Sequence, residues 1–178
     1  TAGGTVTSTT PERESVITGN VVTSSAASPA VSLTNVKVTG IVNANGTVAL
    51  NKATVTQDVW SSSTAVPAVT MTNSARVDGA VTTKGGVSST NSTIVGSVSA
   101  GSTVTVDGSA TGAVHATGAV TAQGPTTITG DLISGGKVKG SGAKGSRTVR
   151  PHGGFTGRRT RGRGGAGGGG LSGGTSGR

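Results

Sequence analysis

Ile17–Thr18–Gly19–Asn20–Val21 is answered further along the chain by Val38–Thr39–Gly40–Ile41–Val42. The same phrase, apolar–x–Gly–x–apolar, returns as Val77–Asp78–Gly79–Ala80–Val81, Ile94–Val95–Gly96–Ser97–Val98, Ala110–Thr111–Gly112–Ala113–Val114 and Ile128–Thr129–Gly130–Asp131–Leu132. One further copy, Val55–Thr56–Gln57–Asp58–Val59, carries Gln in place of Gly. The copies open on Ile17, Val38, Val55, Val77, Ile94, Ala110 and Ile128, a nearly even spacing. Self-similarity at such a period marks a chain of stacked coils, each too small to bury its own apolar face. The expected fold is an all-β parallel β-solenoid (β-helix) of about seven coils.

A second phrase alternates with the first: Val31–Ser32–Leu33, Val48–Ala49–Leu50, Val69–Thr70–Met71, Val87–Ser88–Ser89, Val104–Thr105–Val106 and Val120–Thr121–Ala122. Alternation with period two sends one set of side chains inward and the other into water. Each coil therefore reads as two strand-like phrases. Turn residues such as Asn43–Ala44–Asn45–Gly46, Lys84–Gly85–Gly86 and Gly124–Pro125 separate them. In the Gly phrase, positions 1, 3 and 5 share the inner face. A Gly there implies a corner where a side chain has no room. Gln57 breaks the rule, and a buried Gln would need hydrogen-bond partners.

A longer repeat overlies the short one. Val22–Thr23–Ser24–Ser25–Ala26–Ala27–Ser28–Pro29–Ala30–Val31 matches Trp60–Ser61–Ser62–Ser63–Thr64–Ala65–Val66–Pro67–Ala68–Val69 position by position. This reads as duplication of a two-coil unit, with two Pro-ended bulges on one edge of the stack.

Composition agrees with a thin, regular core. The chain has one Phe, one Trp, one Met and no Tyr among 178 residues. Val, Ile, Ala and Thr must fill the interior, as suits strands. With no Cys, disulfides and thiolate metal sites are excluded. No apolar run reaches the length of a membrane span, and no signal peptide is visible. The chain opens on Thr1 rather than Met, from which a processed chain or a fragment is expected. Residues 1–136 hold five basic and six acidic side chains, whereas residues 137–178 hold ten basic and none acidic. The organisation expected is a polar lead-in over 1–15, a solenoid over 16–140 and a flexible Gly/Arg-rich tail over 141–178.

The body resembles the bactofilins, polymer-forming bacterial cytoskeletal proteins, in its Val-x-Gly-x-Val and Gly–Asp or Gly–Asn phrases. Ile17–Thr18–Gly19–Asn20–Val21 and Ile128–Thr129–Gly130–Asp131–Leu132 carry the likeness best, within residues 16–140. Bacterial surface solenoids and phage fibres share such phrases. The resemblance implies a right-handed solenoid that polymerises end to end without nucleotide, in the cytoplasm. The wealth of Ser, Thr and Ala points instead to the cell surface or the extracellular space.

Chemistry is sparse. The histidines are His115 and His152, and a Ser–His–Asp arrangement could be drawn through His115 and Asp131. Random adjacency among so many serines explains it as well. No carboxylate pair, phosphate-binding loop or dinucleotide fingerprint occurs, so no enzyme activity, cofactor or metal is expected. Asn45–Gly46–Thr47 and Asn91–Ser92–Thr93 match the N-glycosylation pattern but read as turns. Thr54/Thr56, Thr70/Thr72 and Thr127/Thr129 suggest an ice-binding ladder, interrupted by Lys37, Arg76 and Asp78. In the tail, Arg158, Arg159, Arg161 and Arg163, spaced by Gly, would contact phosphates of nucleic acid or another polyanion. Two functions fit: a structural protein assembling through its ends into a filament or surface layer, or a surface binding module such as an adhesin, phage-fibre segment or ice binder.

Overall fold

The computed structural model describes residues 2–9, 13–140, 149–151 and 155–157, the last two segments as backbone strands. The chain is a parallel β-solenoid of about seven coils, with no helix among the described residues. Each coil contributes one strand to each of three sheets, in the order C, A, B. Sheet C runs from Ser15–Ile17 to Thr127–Ile128, sheet A from Val21–Thr23 to Val149–Pro151, and sheet B from Val6–Thr9 to Phe155–Gly157. Every pairing between described strands is parallel, as stacked coils require.

The expected two strands per coil become three because the Gly phrase folds at its Gly. Ile94 ends a strand of sheet C, Gly96 makes the corner, and Val98 begins a strand of sheet A. The close approach that demands Gly comes from the coil beneath. A Cβ on Gly96 would press on the Gly79 carbonyl, and one on Gly130 would stand 2.8 Å from the Ala113 backbone. Gln57 needs no buried partner: its side chain is exposed.

One phrase is displaced. Ala110 pairs with Thr93 and Thr127, while Thr111 takes the inward place beside Ile94 and Ile128. That coil is one residue short at its corner, lacking a counterpart to Val95. Its Gly112 amide meets both the Ile94 and Gly96 carbonyls. The second phrase falls in register as read, Val31–Ser32–Leu33 on Val48–Ala49–Leu50 on Val69–Thr70–Met71.

Inside, each register position becomes a column. Val21, Val42, Val59, Val81, Val98, Val114 and Leu132 line sheet A, and Val31 through Val138 line sheet B. Full burial of each such side chain contributes about 1.5–3 kcal/mol. Along the corner from sheet B to sheet C the core changes character. Val36, Ala53 and Ala75 give way to Ser92, Ser109 and Thr126, and Leu33, Leu50 and Met71 give way to Ser89. These hydroxyls are paired with one another and with backbone. Ser109 Oγ receives hydrogen bonds from Ser89 Oγ at 3.2 Å and the Ser92 amide at 3.1 Å. It lies 3.1 Å from the Ser89 carbonyl and 3.0 Å from the Asp107 carbonyl, either of which can accept its proton.

The same corner turns through a left-handed residue in six successive coils: Asn35, Lys52, Asn73, Asn91, Gly108 and Gly124. Asn and Gly tolerate that conformation, and Lys52 does so at a cost.

Strand pairing is also present outside residues 16–140. Within the expected lead-in, Val6–Thr9 pairs with Val31–Thr34, and Ala2 bridges Thr23. Beyond residue 140, Val149–Pro151 pairs with Leu132–Ser134, and Phe155–Gly157 with Val138–Gly140.

Candidate functional site

Both Pro-ended bulges join sheet A to sheet B, two coils apart on one edge, and they are built alike. Thr23 Oγ1 accepts the Ser25 amide, and Ser61 Oγ accepts the Ser63 amide. Ser25 Oγ and Ser63 Oγ each accept the amide two positions on, from Ala27 and Ala65. Each bulge lies against a Gly of the next coil. A Cβ on Gly46 would strike the Ala27 carbonyl, and one on Gly85 would strike the Ala65 carbonyl. The long repeat seen in the sequence is thus a repeat of hydrogen bonds as well as letters.

Beside the second bulge stands Trp60. Strand Val59–Ser61 turns Val59 and Ser61 inward and Trp60 outward, leaving the indole 51% exposed. Asn43 lies in register below it and Thr82 above. Ser62, two positions along, donates from Oγ to Asn45 Oδ1 at 3.3 Å, and Asn45 Nδ2 donates to the Ser24 carbonyl. Among the described residues the other exposed large apolar side chains are Val16, Val66 and Val95. The alternation of Val59–Trp60–Ser61 carries the signal for this outward Trp. The missing Gly at Gln57 marks the coil as irregular without revealing which face the indole joins.

The remaining candidates separate. His115 is exposed on sheet A, in register with Ser99 and Ile133. Asp131 is exposed two positions before Ile133, and no hydrogen bond joins Ser99, His115 and Asp131. The His115–Asp131 link drawn from sequence is not made. Asn45 and Asn91 are exposed turn residues.

The supposed Thr ladder mixes two faces. Thr54 and Thr127 lie in the outward column of sheet C with Lys37, Arg76, Thr93 and Ala110, where Arg76 Nε pairs with Asp78 Oδ1 at 2.6 Å. Thr70 lies on sheet B, between Ala49 and Ser88. A shallow groove of about 350 Å³ follows the corner between these sheets, lined by Ser74, Arg76, Asn91, Thr93 and Pro125 among others. Arg158, Arg159, Arg161, Arg163 and His152 lie outside the described residues.

No helix among the described residues is long and apolar enough to cross a membrane, and no group of three His, Cys, Asp or Glu among them is placed to hold a metal. Comparison with known proteins finds no matching family, no matching curated protein and no matching solved structure.

Proposed function

We propose that this protein is a non-catalytic structural element that assembles end to end, through its terminal coils, into a filament or surface layer. The observation that carries this reading is the open edge at the N-terminal end. Among the described residues, Val6–Thr9 and Ser15–Ile17 each have a partner strand on one side only. Val6 donates its amide to the Ala30 carbonyl, and Ser15 donates to the Asn35 carbonyl. Alternation along a parallel ladder therefore points the backbone groups of Thr7 and Val16 away from the body. Unpaired strand edges of this kind template pairing with another chain. Val16 is also 59% exposed, and Val6 and Ile17 are only partly buried against the core. A second copy stacked here would extend the backbone ladders and the Val/Ile columns together. The likeness to bactofilins adds to this reading, and the basic tail would let such an assembly hold a polyanion.

The test uses the paired substitutions Thr7→Pro and Val16→Pro. Each removes an N–H from the open edge without removing a bond inside the molecule, where Pro is tolerated. Electron microscopy should show filaments or layers for the wild type and folded monomers for the double variant. Assembly persisting in the double variant would remove the N-terminal edge from the mechanism. A second reading, a binding module working through a solenoid face, is favoured by the exposed Trp60.

A further inference from the structure

We infer that Trp60 and the polar side chains around it form a binding site for a neutral carbohydrate chain, with one sugar ring stacked on the indole. The duplicated unit provides an internal comparison. Val22 occupies the place of Trp60 in the first copy of that unit. Both copies build the same bulge with the same hydroxyl-to-amide bonds. The indole is therefore not needed to form the bulge or the sheet, and its exposed face is free to serve something else.

The surroundings select the ligand class. Asn43 and Thr82 flank the ring one coil below and one coil above, about 4.8 Å away along the stack. Asn45 and Ser62, tied to each other, border it on the bulge side. Amides and hydroxyls both donate and accept, as a polyhydroxylated ring requires. Asp58, two positions before Trp60 in the chain, is engaged with the Ala80 amide at 2.7 Å. A protein partner fits less well. One indole offers at most about 250 Å², against roughly 800 Å² per partner in a stable interface. The apolar body of a sugar ring matches an isolated aromatic plane in a polar surround.

The chain's single Trp and lack of Tyr make its fluorescence a report on this site alone. The folded Thr7→Pro/Val16→Pro monomer, or the wild type if that variant does not fold, is titrated with millimolar cellotetraose, maltotetraose, chitotetraose and mannotetraose. At least one should shift or quench the emission saturably and protect the ring from acrylamide. Calorimetry should then show Trp60→Ala binding that sugar at least about tenfold more weakly, Trp60→Phe less affected and Asn43→Ala weakened a few-fold, with circular dichroism unchanged. No response to any of the four sugars would overturn the inference. So would emission that shifts only with protein concentration, which would assign the ring to a contact between copies. Because sugar binding is read at Trp60 on strand Val59–Ser61 and assembly at the edge strands Val6–Thr9 and Ser15–Ile17, failure of either leaves the other untouched.

Discussion

Asp58 reaches up from one coil into the space that Gly79 leaves empty in the next. Its Oδ1 accepts the Ala80 amide at 2.7 Å, and a Cβ on Gly79 would overlap that oxygen. Asn20 and Gly40 repeat the arrangement two coils earlier, with the Ile41 amide as donor at 3.0 Å. The coil below Gln57 carries Ile41 in this place, so no Asx side chain reaches up beneath Gln57. At these two corners the Gly and the Asx of adjacent coils are therefore one device. Gly79→Ala should destabilise the fold by about 1–3 kcal/mol through overpacking. Asp58→Ala should cost about 1–2 kcal/mol through loss of the charge-assisted bond. Thermal or denaturant unfolding of the double variant should show coupling, with Gly79→Ala less harmful once Asp58 is gone. It should not become neutral, because the Gln57 backbone carbon also lies 2.6 Å from the added Cβ.

Thr111 is an inward hydroxyl, 2% exposed, whose Oγ1 has no hydrogen-bond partner among the described residues. It sits between Ile94 and Ile128. Thr111→Val exchanges the hydroxyl for a methyl of similar shape. Stability should rise by about 1 kcal/mol, since the desolvated oxygen gains nothing in return. An unchanged or lowered unfolding midpoint would show that the oxygen has found water.

Ser109 gives the opposite case. Ser109→Ala should lower stability by about 1–3 kcal/mol, because the Ser92 amide and the Ser89 hydroxyl both lose their buried acceptor. Ser89→Ala, which removes one bond and leaves the Ser92 amide satisfied, should cost less. Denaturant midpoints of the two variants compare them directly.

Lys52 holds a φ of 51° in a turn column whose other left-handed residues are Asn and Gly, with Ser74 following Asn73. Lys52→Asn should gain up to about 1 kcal/mol, as Asn tolerates left-handed backbone better. The gain should appear as a higher midpoint in thermal unfolding, with the circular dichroism of the folded state unchanged.

The solenoid and its Val columns were legible because period-two alternation and a fixed repeat length have few other solutions. The Gly corner was legible as a corner, yet a short phrase with apolar ends fits a straight strand as well as a bent one. Only pairing distinguishes Ile94 at the end of sheet C from Val98 at the start of sheet A. The shift at Ala110 was hidden because losing one corner residue leaves the apolar–x–Gly–x–apolar lettering intact. Thr70 was placed with Thr54 because both follow the same local pattern, and nothing in the pattern tells one sheet from another. The outward turn of Trp60 was missed, although the parity of Val59–Trp60–Ser61 carries it. Its neighbours Asn43 and Thr82 come from the coils before and after, and so required the register.

The matched bulges imply that the molecule has an adjustable length. A tandem copy of residues 24–61 inserted after Ser61 would create a single new chain junction, Ser61 to Ser24, equivalent to the existing Ser61 to Ser62. Every added coil would rest on a surface of a kind the protein already packs. The body would lengthen by about 10 Å for each copy, as two coils of a parallel stack. The spacing between successive bulges, and so between any indoles carried beside them, would advance in the same fixed increments, like graduations on a rule.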